Sequence, residues 1–214
     1  MKKQLFYIIF ISVIACFMLY VLERVILVSY EVKTIAKILL FTLIPLLYWK
    51  YYTPVRLKKR KLSNLSLSVA LSIATFGVIW LAFFFLKDLV DFQEINNQLQ
   101  LSKQELVVRG IYIIVGNAFL EEFFFRGFIF LNLYRLSYRK TAYIFSSALF
   151  AIYHIAIFQS WFTLPIMLVI LIALFLVGFI FNYLCQRVSS FTGSWVVHAS
   201  ADLAIILIGF YMFF

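Results

Sequence analysis

Two adjacent carboxylates, Glu121 and Glu122, and one guanidinium, Arg126, sit inside the apolar run Asn117–Gly127, which reads N-A-F-L-E-E-F-F-F-R-G. Both histidines of the chain, His154 and His198, also lie in apolar runs, and Asp202 follows His198 by four residues. An ionised group at the centre of a bilayer costs at least about 2.5–3.5 kcal/mol on insertion scales, so such groups persist when they are paired or functional. On a helix, residues four apart share a face. Glu122 is therefore expected to pair with Arg126, and His198 to act with Asp202. Glu121 points about 100° away from Glu122 on such a helix, which follows from about 3.6 residues per turn. That makes Glu121 the expected free, reactive carboxylate. Phe150, one turn before His154, is expected to wall that side of the site.

The depths of these groups agree. Glu121 lies fourteen residues from Arg135, and His154 lies fourteen from Lys140, which is about 21 Å in each case at 1.5 Å per residue. His198 lies eleven residues from Arg187, about 16 Å by the same rise. Acid and imidazole groups on three spans at one level imply a common polar cavity open to water from one side. A desolvated glutamate beside a histidine can take a proton from water. An imidazole with a neighbouring hydrogen-bonding group can stabilise the oxyanion of an attacked amide. That set would hydrolyse a peptide bond without a covalent intermediate. The same Glu121, His154 and His198 could instead hold zinc, whose bound water would be the nucleophile. The residues alone leave both schemes open.

The elements that must position these groups are membrane helices. The chain has 214 residues, 65% hydrophobic and 13% charged, against about 45–50% and about 25% in an average soluble domain. Apolar runs cover Leu5–Leu22, Ile35–Tyr52, Leu62–Leu86, Leu106–Tyr134, Thr141–Phe158, Trp161–Leu184 and Ser194–Phe214. The fold class is thus an all-α, polytopic membrane helix bundle of about seven transmembrane helices. It reads as a single membrane domain over 1–214, with a catalytic core over about 106–214. The first run is long enough to span rather than to be a signal-peptide core. Val13–Cys16 resembles a lipoprotein cleavage site, but the residues that follow stay apolar, and cleavage is not expected. The polar segment Lys87–Glu105 is the longest loop and has room for a short amphipathic helix.

The net charge of +10 does not point to nucleic acid, because the bases collect beside the membrane runs. With a cytoplasmic N-terminus, the inner segments hold twelve Lys or Arg and no acid. The outer segments hold six bases, including Arg24, Lys33, Lys37 and Arg109, beside six acids. That asymmetry is the positive-inside pattern. The run Arg56–Lys61 is read as a topology determinant. Cys16 and Cys185 have no disulfide or metal spacing and read as two buried thiols.

Three of these elements, Glu121-Glu122-x-x-x-Arg126, Phe150-x-x-x-His154 and His198-x-x-x-Asp202, resemble the motifs of the CPBP (CAAX protease and bacteriocin-processing, or Abi) family of intramembrane proteases. The lead-in Thr192-Gly193-Ser194-Trp195 is similar as well. The resemblance covers about Asn117–Leu207. It implies a helix bundle with a catalytic cavity toward the cytosol, Glu121 activating water with help from His154, and His198 with Asp202 on the oxyanion side. The family's third motif often ends in Asn, where this chain has Asp202; an ionised Asp cannot donate to an oxyanion, and a protonated one can. The resemblance favours no cofactor, with zinc as the alternative. The expected function is endopeptidase cleavage of hydrophobic or membrane-delivered peptides: a bacteriocin or pheromone leader, a signal-peptide remnant or a lipidated terminus. The competing expectation is a non-catalytic regulatory or bacteriocin self-immunity protein working through a partner membrane protein. Glu121, Glu122, His154, His198 and Asp202 are the catalytic candidates, with Arg126 as structural partner. The expected setting is the bilayer of the bacterial cytoplasmic membrane.

Overall fold

A computed structural model describes residues 1–52 and 65–214, which are helical with no strand among them. The basic run Arg56–Lys61 lies outside the described residues. Helices α1 (Lys2–Arg24), α2 (Tyr30–Tyr51) and α3 (Leu65–Leu86) are followed by a 3-10 turn at Lys87–Leu89 and the short α4 (Phe92–Leu99). Residues 103–135 are helical without a gap, but their pitch alternates. They form α5 (Lys103–Ile111), a π-helical stretch Tyr112–Asn117, α6 (Ala118–Glu122), a second π-helical stretch Phe123–Phe130, and α7 (Leu131–Arg135). Then come α8 (Arg139–Tyr153), α9 (Ile155–Phe158), α10 (Leu164–Val188) and α11 (Thr192–Phe213).

Six helical segments among the described residues are long and apolar enough to cross a membrane: Lys2–Arg24, Tyr30–Tyr51, Ser66–Leu89, Arg139–Phe158, Leu164–Arg187 and Thr192–Phe213. With the pitch-broken stretch 103–135, this all-α polytopic architecture fits the seven spans expected. The polar loop does carry an amphipathic helix. In α4, the Asp91 carboxylate caps the amide of Glu94 at 2.8 Å, and Ile95 is buried. At the start of α5, Ser102 and Glu105 form a reciprocal capping box, which satisfies two orphan donors at once.

The chain divides into two compact units, 1–60 with 120–191, and 61–119 with 192–214. In the first, an aromatic core joins α2 to the second π-helical stretch. Phe41 stacks flat on Phe124, with centroids 4.1 Å apart and planes 1° from parallel, and meets Phe125 edge-on. Tyr48 meets Phe128 edge-on one turn further along. Phe124 and Phe125 are fully buried, so they are packing groups rather than lipid-facing ones. Cys16 and Cys185 are buried free thiols, as read from the sequence.

Small residues bring α8 and α10 together, as they do in many membrane helix pairs. A Cβ on Gly178 would lie 2.9 Å from Ser147 Cβ and 3.0 Å from Ser147 Cα. Beside that contact, the Asn182 amide donates to Ser147 Oγ at 3.0 Å, and Ser146 Oγ donates to the Phe125 carbonyl at 3.0 Å. The last bond ties α8 to the π-helical stretch. Gly178→Val is expected to destabilise the protein by about 1–3 kcal/mol, the usual cost of overpacking. Unfolding in mixed micelles measures this, and an unchanged midpoint would contradict the close approach.

In the second unit, α11 packs against α3, α4, α5 and the first π-helical stretch. Ser200 Oγ donates to the Ser72 carbonyl at 2.9 Å, and Trp195 Nε1 donates to the Val115 carbonyl at 3.2 Å. Trp195 thereby serves a carbonyl in a π-helical segment, as Ser146 does in the other unit. Its ring also meets Phe119 edge-on.

Candidate active site

Alpha-6 carries Glu121 and Glu122 between the two π-helical stretches. Such stretches often mark functional positions in helices. The two carboxylates leave the helix in different directions, as their spacing requires. Glu122 Oε1 accepts from Arg126 Nη1 at 2.8 Å, and both side chains are wholly buried. The guanidinium carbon lies 4.1 Å from the Phe150 ring centroid and 4.9 Å from that of Phe181. Among the described residues, Arg126 Nε and Nη2 have no hydrogen-bond acceptor. The aromatic faces therefore supply part of what water would give the cation. Phe150 was expected to wall the histidine; it serves the arginine as well.

Glu121 is where the structure departs from the sequence reading. Its Oε1 accepts from Lys37 Nζ at 2.6 Å, deep in the first unit. The carboxylate expected to be free is half of a buried ion pair, and the lysine expected on the outer side lies inside the protein. Lys37 is two turns into α2, within Ala36-Lys37-Ile38-Leu39-Leu40. Lys37 is the one charged residue in the stretch from Ile35 to Trp49, and counting it with the loop bases hides that signal. Arg109, also counted among outer bases, pairs with Glu105 at 3.8 Å.

The other Glu121 oxygen, Oε2, lies 3.7 Å from His154 Nε2. His154 sits at a break between α8 and α9. Its amide turns to the Ala151 carbonyl at 3.1 Å, in place of the Phe150 carbonyl that an unbroken α-helix would use. The imidazole Nδ1 then meets the Phe150 carbonyl at 2.7 Å. A carbonyl can only accept, so Nδ1 carries a proton, and in the neutral form of the ring Nε2 would be the acceptor. The break thus aims Nε2 at the carboxylate. Arg24, at the end of α1, holds the turn beyond this break by donating to the carbonyls of Ala156 and Ile157 and to Ser160 Oγ.

In the second unit, His198 is buried on α11 with its Nε2 3.8 Å from Asp202 Oδ1. The spacing of four thus brings that pair together too. Glu121 and His154 supply two of the three protein ligands a catalytic zinc uses, and one oxygen of Glu121 already faces an ammonium. Among the described residues, no three His, Cys, Asp or Glu side chains gather closely enough to hold a metal ion. The Lys37 ammonium fits an acid–base site better than a zinc site.

A membrane helix protein with paired carboxylates beside a broken helix and a buried histidine is the class that fold and site define. Residues 103–204 match the family model described as type II CAAX prenyl endopeptidase Rce1-like. That match covers just under half of the chain, and it agrees with the resemblance of the three motifs to the CPBP-type intramembrane proteases. Neither a curated protein nor a solved structure matches the chain.

Proposed function

We propose that the chain is a glutamate-dependent intramembrane endopeptidase in which Glu121 and His154 activate the attacking water. The observation that carries this reading is the approach of Glu121 Oε2 to His154 Nε2, at 3.7 Å. That separation is too long for a direct hydrogen bond, and with the imidazole neutral both atoms are acceptors. A water donating one O–H to each would join them, with its oxygen lone pair turned outward. Glu121 and His154 draw a proton from that water as its oxygen attacks the substrate carbonyl carbon. The C–O bond forms, and the carbonyl π pair moves onto oxygen. The resemblance gives His198 the role of donor to that oxyanion, with Asp202, 3.8 Å away, offsetting its charge. The abstracted proton then passes to the leaving amide nitrogen as the C–N bond breaks. Glu122 holds Arg126 and keeps the helix face in place. Every step uses side chains of this chain, and none is routed through zinc.

The substrates would be hydrophobic or membrane-delivered peptides: a lipidated CAAX-type terminus, a signal-peptide remnant, or a bacteriocin or pheromone leader. The enzyme would lie in the bacterial cytoplasmic membrane as a single membrane domain, its N-terminus in the cytoplasm.

The test is cleavage of reconstituted peptides of these kinds by purified protein, with and without a chelator. Cleavage is expected to survive chelation. His154→Asn is expected to lower kcat by about 10²–10⁴-fold, the range for a lost acid–base group. His198→Asn is expected to lower it by about 10²–10³-fold, as for a lost oxyanion donor. Cleavage that stops under chelation and returns with zinc would refute the metal-free mechanism. Full cellular function in variants that lack Glu121 or His154 would favour the regulatory or immunity role instead.

A further inference from the structure

We propose that Lys37 is a positioning residue for this reaction: its ammonium clamps Oε1 of Glu121, leaving Oε2 as the oxygen that shares the attacking water with His154. The proposal rests on the endopeptidase reading above, and goes beyond it by adding a residue outside the three motifs and outside the matched segment. Lys37 and Glu121 are 84 positions apart in the chain and meet at 2.6 Å. Both are buried. A lysine inside a membrane helix is costly unless something holds it, and here the holding group is the reactive carboxylate.

The surroundings of the ammonium belong to the same site. Its Nζ lies 5.1 Å from the Tyr153 ring centroid and 5.7 Å from that of Phe41, within reach of cation–π attraction. Tyr153 immediately precedes His154, and its ring meets the imidazole edge-on at 5.3 Å. Phe41, one turn along α2 from Lys37, is fixed by its flat stack on Phe124, three residues past Glu121. The lysine is thus seated between side chains rigidly tied to the two groups that it would align.

The pair also differs in kind from Glu122–Arg126. That pair is made within one helical turn, and would form wherever the helix lay. Lys37 reaches Glu121 from α2, so its bond fixes the carboxylate against a second helix. The terminal torsion of a glutamate is broad and roughly two-fold. Without the clamp, either oxygen could face His154 and the carboxylate plane could turn. Misplacing a reacting group by about 1 Å can cost about 10²-fold in rate. Because the ammonium touches Glu121 rather than the substrate, its loss should appear in kcat and not in KM.

Steady-state cleavage by full-length Lys37→Met and Lys37→Arg, each alone and with Glu121→Gln, tests this. Lys37→Met is expected to lower kcat by about 10–100-fold, with KM within about threefold of wild type. Lys37→Arg, which keeps a cation within reach of the carboxylate, is expected to recover most of that loss. On the Glu121→Gln background, Lys37→Met is expected to change the residual rate by less than about twofold, as no carboxylate is left to align. Should Lys37→Met fail to fold, Lys37→Gln takes its place under the same criteria. A folded variant whose kcat stays within about threefold of wild type, or one that loses as much rate without Glu121 as with it, would overturn the assignment. A wild-type protein that cleaves nothing, with Glu121→Gln indistinguishable from it, would sink the endopeptidase reading itself. An active wild type, an inert Glu121→Gln and an unaffected Lys37→Met would sink only the role of Lys37.

Discussion

Glu121→Gln is expected to lower kcat for peptide cleavage by about 10²–10⁴-fold, the range for removal of a general base, with KM nearly unchanged. Gln keeps the shape of Glu and its acceptor oxygen, but it cannot take a proton from water. The amide also presents Lys37 with a neutral partner, so the ammonium loses its counter-charge. Some loss of stability should therefore accompany the loss of rate, and circular dichroism and unfolding in micelles separate the two. A folded Glu121→Gln protein that cleaves within a few fold of wild type would show that the proton goes elsewhere.

The largest expected effect on stability is at Arg126. Arg126→Met leaves the Glu122 carboxylate wholly buried without its partner at 2.8 Å. Removing one member of a buried ion pair costs about 3–5 kcal/mol, more than the pair itself contributes, because a lone charge stays behind. The variant also loses the guanidinium contacts with the Phe150 and Phe181 rings. The double variant Glu122→Gln/Arg126→Met removes the orphaned charge and is expected to recover a large part of the loss. Equilibrium unfolding in mixed micelles measures all three proteins. Equal stability of Arg126→Met and wild type would contradict the burial of this pair. A double variant no better than Arg126→Met alone would show that stacking, rather than charge, holds the segment.

Much of this arrangement was legible in spacing. Glu122 and Arg126, and His198 and Asp202, meet because four residues is close to one helical turn, and the apolar runs are long enough to set the spans. Three features were not legible, each for a physical reason. Hydropathy treats lysines near the start of a span as boundary markers, so Lys37, four residues after Lys33, reads as outside, although α2 starts seven residues earlier, at Tyr30. The stretches Tyr112–Asn117 and Phe123–Phe130 shift the backbone hydrogen bonds from four residues apart to five. In a nearly uniform apolar run no polar periodicity exists to reveal that shift. The break at His154 has neither Gly nor Pro to announce it; it follows from the imidazole taking the carbonyl of Phe150 while the His154 amide turns to Ala151. These are the features that aim Glu121 and His154 at one another.

The most direct measurement is cleavage of a reconstituted membrane peptide in oxygen-18 water, with hydroxylamine and a chelator present. Direct attack by water held between Glu121 and His154 predicts three results together. Turnover persists under chelation, the new C-terminal carboxylate gains one heavy oxygen per cleavage, and no hydroxamate forms. A hydroxamate at the cleavage site would reveal a covalent acyl-enzyme. Loss of turnover to the chelator, restored by added zinc, would reveal a metal-held water; either result would contradict activation by these two side chains.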